Sequence, residues 1–476
     1  MKFQRFEVPG LAHYSYVLGA AGKAVVVDPK RDIDTYLEYA RVNDLSIAYI
    51  LETHIHADYC SGAKELAEAT GAELWLSAHD TGEDFIYQFP HKDFKDGEAL
   101  ELGEVRIVAL HTPGHTPEHL SFLVYDIKRS ATMPMLMLSG DFVFVGSLGR
   151  PDLLGESAKL KLAGQLYDSL NSKIAELPDG LEVHPAHGAG SMCGAGMGDR
   201  PQTTLGYERL SNMFFADRDK PTFVHHILST VPPFPDYYRR MKKVNSDGPK
   251  TVGVEPPRAL AVDEFKKAAF GVHSNGGEHV VIDLRRPEAF GGAHIPGAFN
   301  IGQAALFSIW ASWVVPYDKP ILLVGDASTN YDEARRALLR VGLDDVRGYL
   351  KGGMTAWVEA GHEQAHVPQI SVGELAALKG TGGLILDVRA DGEWNSGHIA
   401  GATHIMGGDL PKRAKELPRD RKIYAVCGAG YRSSVATSVL KRAGFRDVVN
   451  VDGGMGAWNR QKLPTVTEEK GAAVSR

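Results

Sequence analysis

Val281-Ile282-Asp283-Leu284-Arg285 returns 104 residues later as Ile385-Leu386-Asp387-Val388-Arg389. The same offset carries His294-Ile295-Pro296-Gly297-Ala298 onto His398-Ile399-Ala400-Gly401-Ala402. Further on, Gly352-Gly353-Met354 with Trp357 matches Gly453-Gly454-Met455 with Trp458, at an offset of 101. Small loop deletions produce a drift of that kind, so the repeat predicts two homologous domains, 255–365 and 368–465. Within each, short apolar runs (Ile321–Val324, Ile423–Val426) alternate with helical patterns (Asp332–Leu339, Ser434–Leu440). That alternation predicts βαβ units around a mainly parallel sheet.

Residues 1–245 read differently. Strand patterns recur at Ala24–Val27, Ile47–Leu51, Glu73–Leu76, Val105–Leu110, Leu120–Tyr125 and Met135–Leu138. Helical patterns fall between them at Asp32–Val42, Ala63–Ala69 and Ser157–Leu170. Together they predict a layered α/β sandwich. The polar, turn-rich Asn245-Ser246-Asp247-Gly248-Pro249-Lys250 marks a linker over 246–254, and residues 466–476 form a tail.

The 476 residues are 43% hydrophobic and 23% charged, the balance of a globular chain with no run long enough for a membrane span. Met1-Lys2-Phe3-Gln4-Arg5-Phe6-Glu7 has no apolar run after its basic residues, which argues against a secretory signal. A net charge of -7 argues against a nucleic-acid or anionic-membrane surface. Three cysteines build no disulfide framework, so a reducing cytoplasm is the expected location. Composition leaves open a homo-oligomer.

The 19 histidines cluster. Thr53-His54-Ile55-His56-Ala57-Asp58-Tyr59, Thr112-Pro113-Gly114-His115-Thr116, Ser139-Gly140-Asp141 and His184-Pro185-Ala186-His187-Gly188 share one design: a strand ends and a metal-type residue follows. Strand ends converge at one rim of a sandwich, so the four segments predict at least one bound metal. His111 and His119, flanking the His115 turn, are read as structural, and Cys60 as a small buried residue.

These segments resemble the metallo-β-lactamase superfamily, with its H-x-H-x-D-H run followed by separate His, Asp and His ligands. The resemblance implies an αββα sandwich. One position departs from the pattern: Tyr59 stands where the run ends in His, and the family's second metal site thereby loses a ligand. A two-zinc hydrolase needs both sites, and Asp58 and His187 alone would hold the second metal poorly. What remains is a mononuclear set of His54, His115 and Asp141, the ligand type favoured by oxygen-activating Fe(II) enzymes. The persulfide dioxygenase branch uses such a set. Its resemblance extends through Asp141-Phe142-Val143-Phe144-Val145-Gly146-Ser147-Leu148-Gly149-Arg150-Pro151-Asp152. One Fe(II) is therefore expected, with zinc an alternative in purified samples. His56 and Asp58 are expected to orient ligands or water. Arg150 either pairs with a carboxylate of a thiol cofactor or makes a surface or interdomain salt bridge. Cys193 either faces the pocket and holds a persulfide or is an inert surface-loop thiol.

Cys427-Gly428-Ala429-Gly430-Tyr431-Arg432-Ser433 follows the strand Ile423–Val426 and precedes a helix. Such a turn aims backbone N–H groups at one point, lowers a thiol's pKa and makes it nucleophilic. Arg432 adds positive charge for an anionic sulfur substrate, and Gly428 and Gly430 belong to the substrate cradle. The domain resembles rhodanese sulfurtransferases over its length, with Cys to Arg in six residues. In the middle domain Gly325 corresponds to Cys427, and no thiol lies between Cys193 and Cys427, so this repeat is expected to be inactive.

The order of the three domains resembles bacterial persulfide dioxygenase–sulfurtransferase fusions. The resemblance implies oxidation of a low-molecular-weight thiol persulfide by O2 to sulfite, with Cys427 making or using thiosulfate. Two rivals stand beside it: a zinc-dependent thioester hydrolase of the glyoxalase II kind with a fused sulfurtransferase, and a non-catalytic persulfide carrier or sensor.

Overall fold

The computed structural model describes residues 1–216, 219–232, 234–253, 255–271, 279–378 and 382–467. Most of the expected tail, from 468 onward, lies outside the described residues. The chain divides into two compact units, 1–254 with 338–342 and 255–337 with 343–476.

The first unit is built on alternation. In the strand His13–Ala20, Tyr16 and Leu18 point one way and Val17 the other; in Lys23–Val27, Val25 and Val27 oppose Ala24 and Val26. One set packs against Ile107, Ala109, Phe122, Val124, Leu136 and Leu138 of a second sheet. The other set packs under the helices Asp34–Val42 and Ala63–Thr70. On the far side, Leu123, Met137 and Val183 meet the helices Lys159–Ser172 and Lys220–Thr230. Both sheets have six strands, and two apolar faces on each force four layers, helix–sheet–sheet–helix. The expected sandwich is the observed one.

The linker expectation needs a correction at its start. Asn245 and Ser246 lie buried in the helix Asp236–Asp247, because Asn245 satisfies three backbone groups of the first histidine loop: its amide donates to the His56 and Tyr59 carbonyls at 2.8 and 2.7 Å, and its oxygen accepts from Ser61 N at 2.9 Å. A polar residue read as turn chemistry thus serves as an internal clamp.

In the second unit each repeat forms an all-parallel five-stranded sheet. The spatial order is the same in both: Ala259–Leu260, Val346–Leu350, Ile321–Val324, Val280–Asp283, Phe299–Asn300 in one, and Gln369–Ile370, Val448–Val451, Ile423–Val426, Leu384–Asp387, Thr403–His404 in the other. The repeated Asp-x-Arg is architectural. Arg389 grips Asp387 with Nε at 2.9 Å and Nη2 at 2.6 Å and donates to the Gly397 carbonyl; Arg285 grips Asp283 in the same way. Order reverses between Ile423–Val426 and Leu384–Asp387, the switch point where open α/β sheets bind ligands beyond the carboxyl ends of their strands. Among the described residues no helix is long and apolar enough to cross a membrane.

The Gly-Gly-Met motif buttresses that switch point. Met455 N donates to the Cys427 carbonyl at 2.7 Å and Gly456 N to the Gly428 carbonyl at 2.8 Å. Gly454 has φ +50, and a Cβ there would collide with the Cys427 carbonyl oxygen. Gly401 also has positive φ (+80), but a Cβ on it meets nothing within 4 Å. Gly401→Ala should therefore cost only the left-handed backbone term, about 1–2 kcal/mol. Gly454→Ala adds a clash and should lower the urea midpoint of the domain clearly further. Equal midpoints for the two variants would refute the buttress.

Candidate metal centre and sulfur-transfer loop

All four metal-type segments leave strands of the sandwich at one rim: Ser46–Leu51, Val105–His111, Leu136–Gly140 and Glu182–Pro185 precede them. The structure brings His54, His115 and Asp141 together. One potential ligand atom from each lies within 4.8 Å of the others, and all three residues are buried. Asp141 Oδ2 is 3.3 Å from His115 Nε2 and 3.8 Å from His54 Nε2.

The far side of each ring is anchored. His115 Nδ1 lies 2.9 Å from the Arg150 carbonyl, which only accepts, so Nδ1 carries the proton and Nε2 faces the centre bare. His54 Nδ1 lies 3.0 Å from Thr53 Oγ1, and that hydroxyl donates to Asp28 Oδ2 at 3.0 Å. Burial first, and neighbouring histidines second, push both imidazoles well below the usual range, so both are neutral at pH 7. Asp141 is held from two directions: its backbone N donates to His119 Nε2 at 3.0 Å, and Oδ1 faces His187 Nδ1 at 2.6 Å. His119, read as structural, thus supports the backbone of a site residue.

His56 points away from the three, its Nε2 3.1 Å from Asp28 Oδ1. Burial opposes its charge, yet the Asp28 carboxylate outweighs burial and raises its pKa. Tyr59 turns its hydroxyl to the Asp28 carbonyl at 3.3 Å and lays its ring 3.9 Å from that of His13. His187 lies between two carboxylates, with Nε2 2.7 Å from Asp58 Oδ2. Burial disfavours its charge, but Asp141 and Asp58 hold it well above the ordinary histidine range. A second potential ligand group, Asp58, His187 and Cys193, adjoins the first. Cys193 is 1% exposed, and burial pushes its thiol well up, with the Asp58 and Asp141 charges adding to the rise. It faces the interior of the fold, 3.8 Å from the Tyr238 hydroxyl.

Arg150 makes an ion pair that is neither at the surface nor between domains. Its guanidinium is 1% exposed, pairs with Asp152 at 2.7 and 2.8 Å, and donates to the Met192 and Pro232 carbonyls. Its carboxylate partner is supplied by the chain. Gly149 precedes it because a Cβ there would fall on the Asp141 carbonyl oxygen.

The second cluster stands at the end of Ile423–Val426. Cys427 is 1% exposed; Gly430 N donates to its Sγ at 3.1 Å, and Ser433 Oγ lies 3.3 Å away. The helix Tyr431–Arg442 that follows is fastened to the middle repeat. Tyr431 Oη donates to the Gly302 carbonyl at 2.9 Å and Ser434 Oγ to Asn300 Oδ1 at 2.5 Å. Arg432 is not free: Nη1 and Nη2 fork onto Glu393 Oε2 and Oε1 at 2.5 and 2.7 Å. In the middle repeat Gly325 takes the place of Cys427, for its carbonyl accepts Met354 N at 3.1 Å as Cys427 accepts Met455 N. There the Asp326 carboxylate folds back onto its own loop, accepting from Ser328 N at 2.9 Å and Ser328 Oγ at 2.7 Å.

Sequence reading missed Asp28 and Glu393. Asp28 carried a usable signal, a carboxylate at the end of the run Val25-Val26-Val27 before Pro29, the same strand-end design as the other four segments. Glu393 carried none, since it meets Arg432 across 39 residues.

The family model of the metallo-beta-lactamase superfamily matches residues 8–187, and that of the rhodanese-like domain matches 268–360 and 371–461. A crystal structure of a metallo-beta-lactamase from Staphylococcus aureus subsp. aureus COL is 33% identical; the match covers 74% of this chain and 98% of that one, with a TM-score of 0.64. A hydroxyacylglutathione hydrolase of Francisella tularensis subsp. novicida (strain U112) is 32% identical over 179 residues, 37% of this chain, and the chain spans 63% of its length. ETHE1 from Myxococcus xanthus is 24% identical, over 52% of this chain and 98% of its own, with a TM-score of 0.44. The chain belongs to the metallo-β-lactamase superfamily, its superfamily domain followed by two rhodanese-like domains.

Proposed function

We propose that the protein oxidises a low-molecular-weight thiol persulfide with O2 at one iron held by His54, His115 and Asp141, and transfers sulfane sulfur through Cys427. The observation that carries the first half is the set of orphaned atoms. His54 Nε2, His115 Nε2 and Asp141 Oδ2 are buried, converge, and have no hydrogen-bond partner. Three such atoms left bare are costly unless a cation takes them. Two neutral imidazoles and a carboxylate fit Fe(II), and also zinc. Tyr59 offers no ligand atom on the side of Asp58 and His187, which favours one metal over two; a second metal would have Asp58, His187 and Cys193 as its ligand group.

Iron bound there would supply the activation of O2 and the oxidation of the terminal sulfur. Persulfide, O2 and water then balance as thiol and sulfite. The chain's own residues fix the geometry: Thr53 and the Arg150 carbonyl keep the histidine protons on Nδ1, and protonated His187 holds the unbound oxygen of Asp141. At the second site the Cys427 thiolate attacks a sulfane sulfur and the donor leaves with the bonding pair. Gly430 N–H stabilises the anionic sulfur, and sulfite can then take the outer sulfur as thiosulfate. Linking the sites in one chain raises the effective concentration of the shared intermediate. A persulfide thiol carrier, O2, sulfite and thiosulfate are the proposed partners, and the middle repeat, with Gly325 for the nucleophile, does no transfer of its own. The zinc-dependent thioester hydrolase is the second reading, favoured by the similarity to the Francisella hydrolase.

After anaerobic purification the protein should hold one iron and consume O2 on addition of glutathione persulfide. His115→Ala should lose both metal and O2 uptake and keep thiosulfate:cyanide sulfur transfer. Two tightly held metals per chain, or thioester hydrolysis without O2 uptake, would sink this reading.

Asp28→Asn keeps a residue that tolerates φ +52 but cannot accept from both Thr53 and His56 as a carboxylate does. Metal affinity should fall about 10–100-fold, read by chelator competition, while the unfolding midpoint stays close to wild type. Unchanged affinity would remove Asp28 from the site.

Cys427→Ser should abolish sulfur transfer by the whole chain, because the middle repeat cannot substitute. O2 uptake should persist, with sulfite accumulating where the intact protein releases more thiosulfate. An unchanged thiosulfate-to-sulfite ratio would mean that the two sites do not share an intermediate.

A further inference from the structure

We propose that Glu393 is a specificity-determining residue of the Cys427 site: by occupying Arg432 it disfavours the dianion thiosulfate as sulfur donor relative to persulfides. The inference rests on the reading of Cys427 as the transferring thiol and adds to it a choice of donor.

Arg432 is the sole cation in the loop from Cys427 to Ser433. Each of its terminal nitrogens donates one hydrogen bond to Glu393 in a forked pair, the strongest geometry a guanidinium and a carboxylate can adopt, so the charge of Arg432 is balanced while it still reaches Cys427. The pair sits at the nucleophile. A Cβ built on Gly428, the residue after Cys427, would meet Arg432 Nη2 at 2.8 Å and Glu393 Oε1 at 3.8 Å. Glu393 is also tethered from behind, because its Oε2 accepts from Ala390 N at 3.3 Å at the start of the helix Asp391–Asn395. The carboxylate is therefore held at the loop by the chain itself. Arg389, a further guanidinium of this domain, is engaged by Asp387.

The charge that a donor meets beside Gly428 is thus an ion pair of no net charge, plus backbone amides; the Asp452 carboxylate at Gly430 and the Arg460 guanidinium at Gly456, which also flank the loop, carry opposite charges. Thiosulfate carries two negative charges, spread over its three oxygens and the terminal sulfur that is transferred. Transfer from it forms the Cys427 S–S bond, breaks the S–S bond of thiosulfate and expels sulfite with the bonding pair. Transfer from a persulfide expels a thiolate, and the reacting end carries at most one negative charge. Repulsion from the fixed carboxylate scales with donor charge, so Glu393 penalises thiosulfate more. Removing the charge of Glu393 releases Arg432 for the dianion.

The test uses the full chain with Glu393→Gln, which keeps the size and an acceptor oxygen, and Glu393→Ala as the second variant. Initial rates are measured with thiosulfate and with glutathione persulfide as donors, each at low and high ionic strength. The expected result is a rise of about tenfold in kcat/KM for thiosulfate, mainly through KM and shrinking with salt, with the persulfide value changed far less. A purely structural role for the pair predicts losses with both donors. Equal change with both donors, or no gain with thiosulfate in either variant, overturns the assignment of Glu393 while leaving Cys427 in place. No transfer from either donor by wild type or variants overturns the sulfurtransferase reading itself.

Discussion

The carboxylate of Asp28 is the constraint on which the first domain's site depends. Its oxygens accept from Thr53 N at 2.7 Å, Thr53 Oγ1 at 3.0 Å and His56 Nε2 at 3.1 Å, and its carbonyl accepts from Tyr59. One residue thereby fixes the path of the whole loop from Thr53 to Tyr59 and the tautomer of His54. The backbone takes a left-handed conformation to do so, φ +52 on a non-glycine residue, a strain of the kind that persists when the surroundings over-determine it. Asn245 clamps the same loop from the other side. The loop is thus held by the chain's own hydrogen bonds, which is what a preorganised ligand set requires.

Both candidate sites neutralise their own charges. His187, protonated between Asp58 and Asp141, balances buried carboxylates that would otherwise repel each other beside a centre built for a cation. Arg432 is balanced by Glu393 next to a thiol expected to work as an anion. In each case the isolated charge would be costly at a buried or half-buried position, and pairing it leaves the local backbone and ring nitrogens to define what the site attracts.

The two repeats separate scaffold from chemistry. The Asp-x-Arg grip, the sheet order and the amide of the Gly-Gly-Met turn donated to the loop carbonyl are the same in both. The loop on the buttressed carbonyl differs: Cys427, Gly428, Gly430 and Arg432 stand against Gly325, Asp326, Ser328 and Asn330. With no thiolate to stabilise, the middle loop satisfies its own Ser328 amide with the Asp326 side chain, and its neighbours Asn300 and Gly302 accept hydrogen bonds from the helix that follows Cys427.

The sequence alone determined the architecture, because architecture is written in local and periodic signals. Alternating apolar residues set the two sheets, the 104-residue repeat set the paired domains, and a Gly, Pro or His after each strand marked the rim. It pointed to the residues of the two candidate sites too, since His54, His115 and Asp141, and separately Cys427, each follow a recognisable strand. The tertiary structure decided their partners. That Arg150 spends its guanidinium on Asp152, that Tyr59 faces Asp28, that Cys193 is buried beside Asp58, and that Glu393 holds Arg432 follow from contacts between segments far apart or from burial, neither of which has a period. Hydrogen-bond satisfaction is a property of the packed chain, and a buried polar atom finds its partner only once every neighbouring element is in place.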